Sequence, residues 1–519
     1  MTDKPKGDAK SGAKGDTTLN IDDMATFCKR KGFVFPSSEI YGGMAGFFDY
    51  GPYGTELKNN LKNEWWKFHV QSREDIVGID GSIICNPKVW VASGHVSGFG
   101  DVLVECKKCH ERARADHLLE EQLGINADGL SPEDFGKLIE ENDIKCAKCG
   151  STELDTPKTF NLLFKTSVGA VEGDKAVAYL RGETAQIIFS AFKNVFETGR
   201  LKLPFGIAQM GKAFRNEIAP KQFLFRCREF EQMEIEYFIH PKQHGECPYV
   251  DAVMDEKLLV YSAPMQADGK DAVMMTVKDA LAKGVFKSPW HAYWLATEQR
   301  WFLDLGARPE NFRVRQHNEK EMAHYSSDCW DLEYHFPWGW KELQGIADRS
   351  DFDLSQHAEH SKKDMSIFDE ESKEKVVPNV VAEPSLGVDR SFLVFMFDAY
   401  DDDKERGNIV LHLHPKLAPI KVAVLPLVNK LNDKAREVYD LLKQDIYCFY
   451  DKSGSVGRRY ARMDELGTPY CVTVDFDSLD KDDVTIRDRE TTEQKRISLA
   501  DLKQTLADLI TGQVKFQDL

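Results

Sequence analysis

Phe214-Arg-Asn-Glu217, a short loop, and then Phe225-Arg-Cys-Arg-Glu-Phe-Glu-Gln-Met-Glu234 pose the problem that the fold has to solve. Arginines and carboxylates crowd a stretch whose flanks are apolar. Phe205-Gly-Ile-Ala-Gln-Met210 leads in, and Met233-Glu-Ile-Glu-Tyr-Phe-Ile239 leads out with the alternation of a strand. Phe223-Leu-Phe225 also reads as strand-like, and antiparallel pairing is the natural outcome. Working outward, Trp340-Lys-Glu-Leu343 and Glu383-Pro-Ser-Leu-Gly-Val-Asp-Arg390 repeat the mixture of charge on apolar surroundings. A lone Arg-x-Glu is ordinarily a surface ion pair. Three such segments among apolar strands point instead to a strongly charged ligand, and a triphosphate with its metal ions satisfies the whole set, because arginine grips phosphate through a fixed fork of donors.

These segments resemble the motifs of class II aminoacyl-tRNA synthetases. Phe214–Glu217 with Phe225–Phe230 is similar to their motif 2, Gly387-Val-Asp-Arg390 to motif 3, and the helix 55–69 leading to Pro87 to the dimer-forming motif 1. Arg181-Gly-Glu-Thr-Ala-Gln186, Phe230-Glu-Gln-Met-Glu234, Ala323-His-Tyr325, Cys329-Trp-Asp331 and Glu383-Pro-Ser385 resemble the glycyl members in particular. The resemblance runs from about residue 22 to the end. It implies an α+β fold: a class II antiparallel sheet flanked by helices, with a C-terminal α/β anticodon-binding domain. It also implies an ATP-dependent ligase that makes glycyl-adenylate and charges tRNA(Gly), as a homodimer with Mg²⁺.

Carried over residue by residue, the resemblance makes Arg215, Glu217 and Arg390 the catalytic set, holding the α-phosphate, the adenine side and the γ-phosphate. ATP contacts fall on Arg215, Asn216, Glu217, Phe225, Arg226, Arg228, Glu229, Phe230, Glu342, Leu343, Gly387 and Arg390. Glu342 would act through a divalent ion, and Phe230 would stack on the base. Glycine contacts fall on Arg114, Glu183, Phe230, Glu231, Gln232, Met233, Glu234, Glu383 and Ser385. Glycine offers no side chain, so a pocket must grip its ammonium with carboxylates and fill the space above its α-carbon; larger amino acids are excluded sterically and no editing domain is needed. Two departures from the family pattern flank Glu183: glycine precedes it where proline is common, and Ile187 follows Gln186 where glycine is common. A sister synthetase for another small amino acid, or a non-catalytic RNA-binding relative, are the competing readings.

At 519 residues and 42% hydrophobic, the chain can bury the cores of two or three domains. With 68 Lys+Arg against 85 Asp+Glu, RNA must be met by local basic patches and not by the overall field. No apolar run reaches the length of a membrane helix, so no membrane role is expected. Residues 1–20 read as a disordered tail, and 21–414 as the catalytic domain with insertions at about 106–150 and 240–310. The 11 Cys lack the density of a secreted disulfide framework, which favours a reducing, cytoplasmic setting. Cys106-Lys-Lys-Cys109 and Cys146-Ala-Lys-Cys149 are two knuckles whose thiolates can close a structural zinc site, four free buried thiols being the alternative. Strand and helix alternate from residue 415 to 519, and Gly454-Ser-Val-Gly-Arg-Arg-Tyr-Ala-Arg462 there offers positive charge and an aromatic to tRNA, or else a solvated loop.

Overall fold

The computed structural model describes residues 19–519 except 126, 128, 129, 171–175, 221, 320 and 323–325. The expected disordered tail, as far as residue 18, and the Ala323-His-Tyr325 stretch lie outside the described residues.

A nine-stranded sheet forms the frame. In chain order its strands are β1 (Ile76–Ile79), β2 (Phe205–Phe214), β3 (Glu229–Ile239), β4 (Lys257–Tyr261), β5 (Val273–Thr276), β6 (Phe312–Gln316), β7 (Asp328–Phe336), β8 (Gly339–Asp348) and β9 (Asn379–Gly387). Across the sheet they run β5-β4-β6-β7-β8-β9-β3-β2-β1. The pairing is antiparallel as expected, except that β2 pairs parallel to β1 and β4 parallel to β6. The segment expected as a second insertion, 240–310, is therefore built into the frame: its strands β4 and β5 complete one edge of the sheet. Its sequence reads as an insertion because the strands are short and separated by polar turns. Phe223–Phe225 forms a 3-10 turn, not a strand, since Gln222 and Phe223 adopt positive φ and fold the loop back.

Helices cover the sheet. Helix α1 (Ile21–Lys31) starts at Asn20, whose side chain accepts from the amides of Asp22 and Asp23, and Asp23 completes a capping box. Helix α2 (Pro52–Trp66) has Pro at its first turn and buries Leu57, Leu61 and Trp65 at helical spacing. A Cβ on Gly54 would stand 1.9 Å from the Phe33 carbonyl oxygen, so only glycine lets α2 approach that segment. Helices α3 (Ala115–Leu123) and α4 (Pro132–Glu141) lie between the two cysteine knuckles and pack a small core of their own around Leu119, Phe135 and Ile139. Helix α5 (Ala185–Gly199) packs its aromatic face on Phe205 and Phe238, and the buried helix α6 (Pro289–Asp304) adds Trp290, Trp294 and Trp301 to the main core. Helix α7 (Phe352–Ser361) and helix α8 (Val388–Ala399) flank β9 in sequence.

The C-terminal unit has a five-stranded sheet of β10 (Val422–Pro426), β11 (Cys448–Tyr450), β12 (Tyr470–Val474), β13 (Asp483–Asp488) and β14 (Gln494–Ser498), ordered β11-β10-β12-β13-β14. Helices α9 (Asn432–Leu442), α10 (Val456–Glu465) and α11 (Leu499–Thr511) accompany it. Strand alternation divides β10: Val422 and Val424 face a separate core with Val438 and Leu506, whereas Ala423 and Leu425 join the main core. No described helix is long and apolar enough to cross a membrane.

Candidate active site

Hairpin β2–β3 pairs from Phe205↔Phe238 to Phe214↔Glu229. Because side chains alternate, Phe230, Gln232 and Glu234 share one face. Registers carry that face across the sheet: Gln232 lies opposite Gly387, Glu234 opposite Ser385, Ser385 opposite Gly345, and Gly345 opposite Asp331. This row floors a cavity of about 330 Å³ whose wall also includes Glu183, Arg215, Glu217, Phe225, Arg226, Glu342, Leu343, Glu383 and Arg390.

Three guanidinium groups enter the cavity from different elements. Arg215 follows β2, is held by a bond from its Nε to the Gly182 carbonyl at 3.0 Å, and lies over the ring of Phe230 at 5.3 Å. Arg390 on α8 donates to the Glu342 carbonyl at 2.8 Å and sits 4.5 Å over Phe225. Arg226 stands 3.7 Å from Glu217. Arg215 and Arg390 are thus held in position by backbone and ring contacts, and a buried nitrogen of Arg226 has no hydrogen-bond partner among the described residues, the arrangement of an anion clamp.

The opposite chemistry is concentrated in buried acids. Glu234 is 1% exposed and accepts hydrogen bonds from the hydroxyls of Ser385, at 2.6 Å, and Thr184. Burial raises its carboxyl, and the charge of Glu183 raises it further. Burial pushes Glu183 up as well, but His95 at 3.3 Å, with Arg349 and Arg215 behind it, outweighs burial and holds the group well below the usual carboxylate range. Glu383 accepts from Arg349 Nη1 at 2.9 and 3.0 Å, which opposes the upward push of burial and of the Glu234 and Glu183 charges on its carboxyl. Such a set of carboxylates is strained by mutual repulsion until a cation joins it.

Comparison with known proteins matches residues 421–509 to the anticodon binding domain. The whole chain is 47% identical to a glycine–tRNA ligase of Acetivibrio thermocellus over 490 residues, covering 93% of this chain and 96% of that one. It is 46% identical to the glycine–tRNA ligases of Clostridium kluyveri, covering 94% and 98%, and of Geobacillus thermodenitrificans, covering 95% and 98%. The chain belongs to the glycine–tRNA ligase family.

In this ligase fold the two departures beside Glu183 have local explanations. Arg181 is 2% exposed and donates to the carbonyls of Lys212 and Gly81, at 2.6 and 2.7 Å, so the backbone entering Gly182 is fixed by a side chain. The Ile187 side chain fits because residue 81 is glycine; a Cβ there would stand 2.1 Å from it.

The structure places several residues expected to contact substrate outside the cavity wall. Glu229, Glu231 and Met233 point to the other face of β3, as strand alternation requires. Glu231 there pairs with Lys58 at 3.0 Å and Lys62 at 2.5 Å, Glu229 pairs with Lys212, and Met233 is buried in the main core. Arg228 is a strap, donating to the carbonyls of Glu217 and Ala45, and neither it nor Asn216 belongs to the cavity wall. Arg114 is paired with Asp101 at 2.8 Å and with Asp116, outside that wall. In the basic C-terminal stretch, which is the start of α10 and not a loop, Arg459 is 3% exposed and donates to the carbonyls of Pro426 and Gly454, and Arg462 pairs with Asp451 at 2.5 Å; Arg458 is exposed.

Further charged residues in or beside the cavity of the ligase were given no role from sequence. His317 and Asp331 are joined at 2.7 Å, and burial, with Glu342 adding to it, raises Asp331 to about 6 against the pull of His317. Arg349 braces Glu383 while holding Asp353 on α7 at 2.7 and 2.9 Å. The signal in each case is a charged residue inside or at the end of an otherwise apolar strand, where nothing charged is stable without a partner.

The two knuckles meet in space. Cys106 Sγ lies 3.6 Å from Cys149 Sγ and Cys109 Sγ 3.6 Å from Cys146 Sγ, with all four sulfurs within 4.8 Å of one another. That is the spread of a tetrahedral thiolate set.

Proposed function

We propose that this cavity activates glycine with ATP, giving glycyl-adenylate and pyrophosphate, and then transfers the glycyl group to the 3′ end of tRNA(Gly). The observation that carries the reading is the convergence, in one cavity, of Arg215, Arg226 and Arg390 with the buried set Glu183, Glu234 and Glu383. The arginines suit a triphosphate; the acids with Ser385 suit an ammonium and leave little room for a side chain.

In the first step the glycine carboxylate attacks the α-phosphorus, and the bond to the pyrophosphate oxygen breaks. Arg215 neutralises charge growing on the α-phosphate, Arg390 holds the γ-phosphate, Glu217 meets the adenine side and Phe230 stacks on the base. In the second, the terminal ribose hydroxyl of tRNA attacks the glycyl carbonyl and AMP departs. No side chain forms a bond to substrate, so rate enhancement comes from position and from preorganised charge. Glu342, half exposed beside Arg390, suits Mg²⁺, which when bound offsets phosphate charge. Cys106, Cys109, Cys146 and Cys149 suit a structural Zn²⁺, which leaves no open coordination position and hence no catalytic role.

The anticodon binding domain supports tRNA as partner, with residues 21–414 as the catalytic part and 415–519 as the anticodon-binding part. A homodimer through the region of α2 and a cytoplasmic setting complete the reading. The test is amino-acid-dependent ATP–pyrophosphate exchange with glycine, alanine, serine, threonine and proline in parallel, without tRNA. Exchange with glycine alone is expected; exchange with another amino acid would overturn the pocket assignment, and no exchange by folded protein that binds tRNA would make it a silent RNA-binding relative.

A further inference from the structure

Beneath the acids that face the cavity lies one that does not line it. Glu236 is 0% exposed, and neither of its carboxyl oxygens has a hydrogen-bond partner among the described residues. It follows Glu234 by two positions on β3 and so lies on the same face. One oxygen each from Glu234, Glu236 and Glu383 fall within 4.8 Å of one another. Gln209, opposite Glu234 across the hairpin, is also 0% exposed with both amide atoms unpartnered, so this floor is polar and under-satisfied on both strands.

The charged groups around Glu236 come from each neighbouring element: Glu234 on β3, Glu383 on β9, Arg349 after β8 and Asp353 on α7. Arg349 is already committed to Glu383 and Asp353. An unpaired carboxylate buried beside two others is far too costly, so one proton must remain in the group. Glu383 has a guanidinium against both of its oxygens and Glu236 has none, which assigns the proton to Glu236. Its terminal torsion is soft enough to turn the O–H onto a neighbouring carboxylate.

We propose that Glu236 is a proton-bearing positioning residue, whose carboxyl O–H donates to Glu383 and keeps that group ionised and aimed at the ammonium of the ligand. This rests on the glycine reading of the cavity and adds to it the means by which several acids coexist at neutral pH. Burial, reinforced by Glu383, moves the Glu236 carboxyl well upward, in agreement with the geometry.

The test compares Glu236→Gln, which keeps a neutral donor, with Glu236→Met, which removes it. In exchange assays from about pH 6 to about 9, Glu236→Met is expected to raise the glycine KM by about tenfold at neutral pH with kcat little changed, and Glu236→Gln to stay within about twofold of wild type. Infrared spectra of the intact chain provide a second readout that does not depend on the folding of Glu236→Met. The C=O stretch of a protonated carboxylic acid is expected at neutral pH in wild type and absent in Glu236→Gln. A glycine KM profile for folded Glu236→Met that coincides with wild type, Glu236→Gln as impaired as Glu236→Met, or persistence of the infrared band in Glu236→Gln would each overturn the proposal. Failure of glycine-dependent exchange in wild type would instead overturn the functional reading, leaving the infrared result to judge Glu236 on its own.

Discussion

Single residues divide the cavity's work by charge, and substitutions should separate the two halves. Arg215 is fixed by the Gly182 carbonyl and by the ring of Phe230, so a lysine there keeps charge but loses the planar fork. Arg215→Lys should lower kcat for exchange by about a hundred- to a thousand-fold, as loss of a preorganised donor does elsewhere, with thermal stability nearly unchanged. Glu234→Gln should instead raise the glycine KM by about thirtyfold or more while ATP binding persists, because it removes one partner of a buried charge pair. The pH dependence follows from the buried Glu236–Glu383 pair, whose shared proton rests on Glu236. Burial and mutual charge push the pair's carboxyls above their ordinary value near 4.5, so the stability that goes with the retained proton is complete below the unfolded value and is lost as pH rises through the raised folded value. The ligand-free protein should therefore lose stability across that interval. Glycine, by supplying a cation, should raise the melting temperature more at pH 9 than at pH 7; an equal shift at both would contradict the assignment.

Elements decide which of these residues can meet at all. On β3 the run Phe230-Glu-Gln-Met-Glu234 looks uniform, but the pleat sends 230, 232 and 234 to the cavity and 231 and 233 to α2 and the core. Glu231→Gln should consequently cost about 1–3 kcal/mol of stability through its lysine partners and leave the preference for glycine intact, a pattern opposite to that of Glu234→Gln. Both faces of β3 are covered, since Glu231 to Ile239 are buried throughout. Alternation in the sequence therefore marked the strand without revealing which face bore the site. The knuckles show the same division: each Cys pair is legible from its spacing, whereas their meeting is a product of α3 and α4 folding between them. Chelation should destabilise the segment 106–150, seen as faster amide exchange there with the main sheet unaffected; unchanged exchange on metal removal would count against structural zinc.

At the scale of the whole molecule, the C-terminal unit is less separable than its alternating strand and helix pattern suggests. Leu417, Ile420, Ala423, Leu425 and Met463 belong to the main core, and Asn60 on α2 donates to the carbonyls of Leu417 and Ala418 at 3.2 and 3.0 Å. Deleting 415–519 should thus impair glycine activation as well as tRNA charging, measured by exchange and by aminoacylation of the truncated chain. The selective probe is the exposed Arg458: Arg458→Glu should weaken charging while exchange continues at the wild-type rate. The sequence by itself determined the mixed α+β class, the strands of the hairpin and the Cys pairs, and its family resemblance singled out Arg215, Arg226, Arg390, Glu183, Glu234 and Glu383, which line one cavity. These are local chemistry, carried by residue type, short spacing and period. Only the tertiary structure decided that 257–276 completes the sheet, that Glu231, Met233, Arg114, Arg228 and Arg459 make the packing and pairing contacts described, and that His317 and Asp331 line the cavity with Arg349 and Glu236 beside its acids. Those outcomes depend on strand register and on which face each neighbour covers, and register is fixed by contacts between segments far apart in the chain.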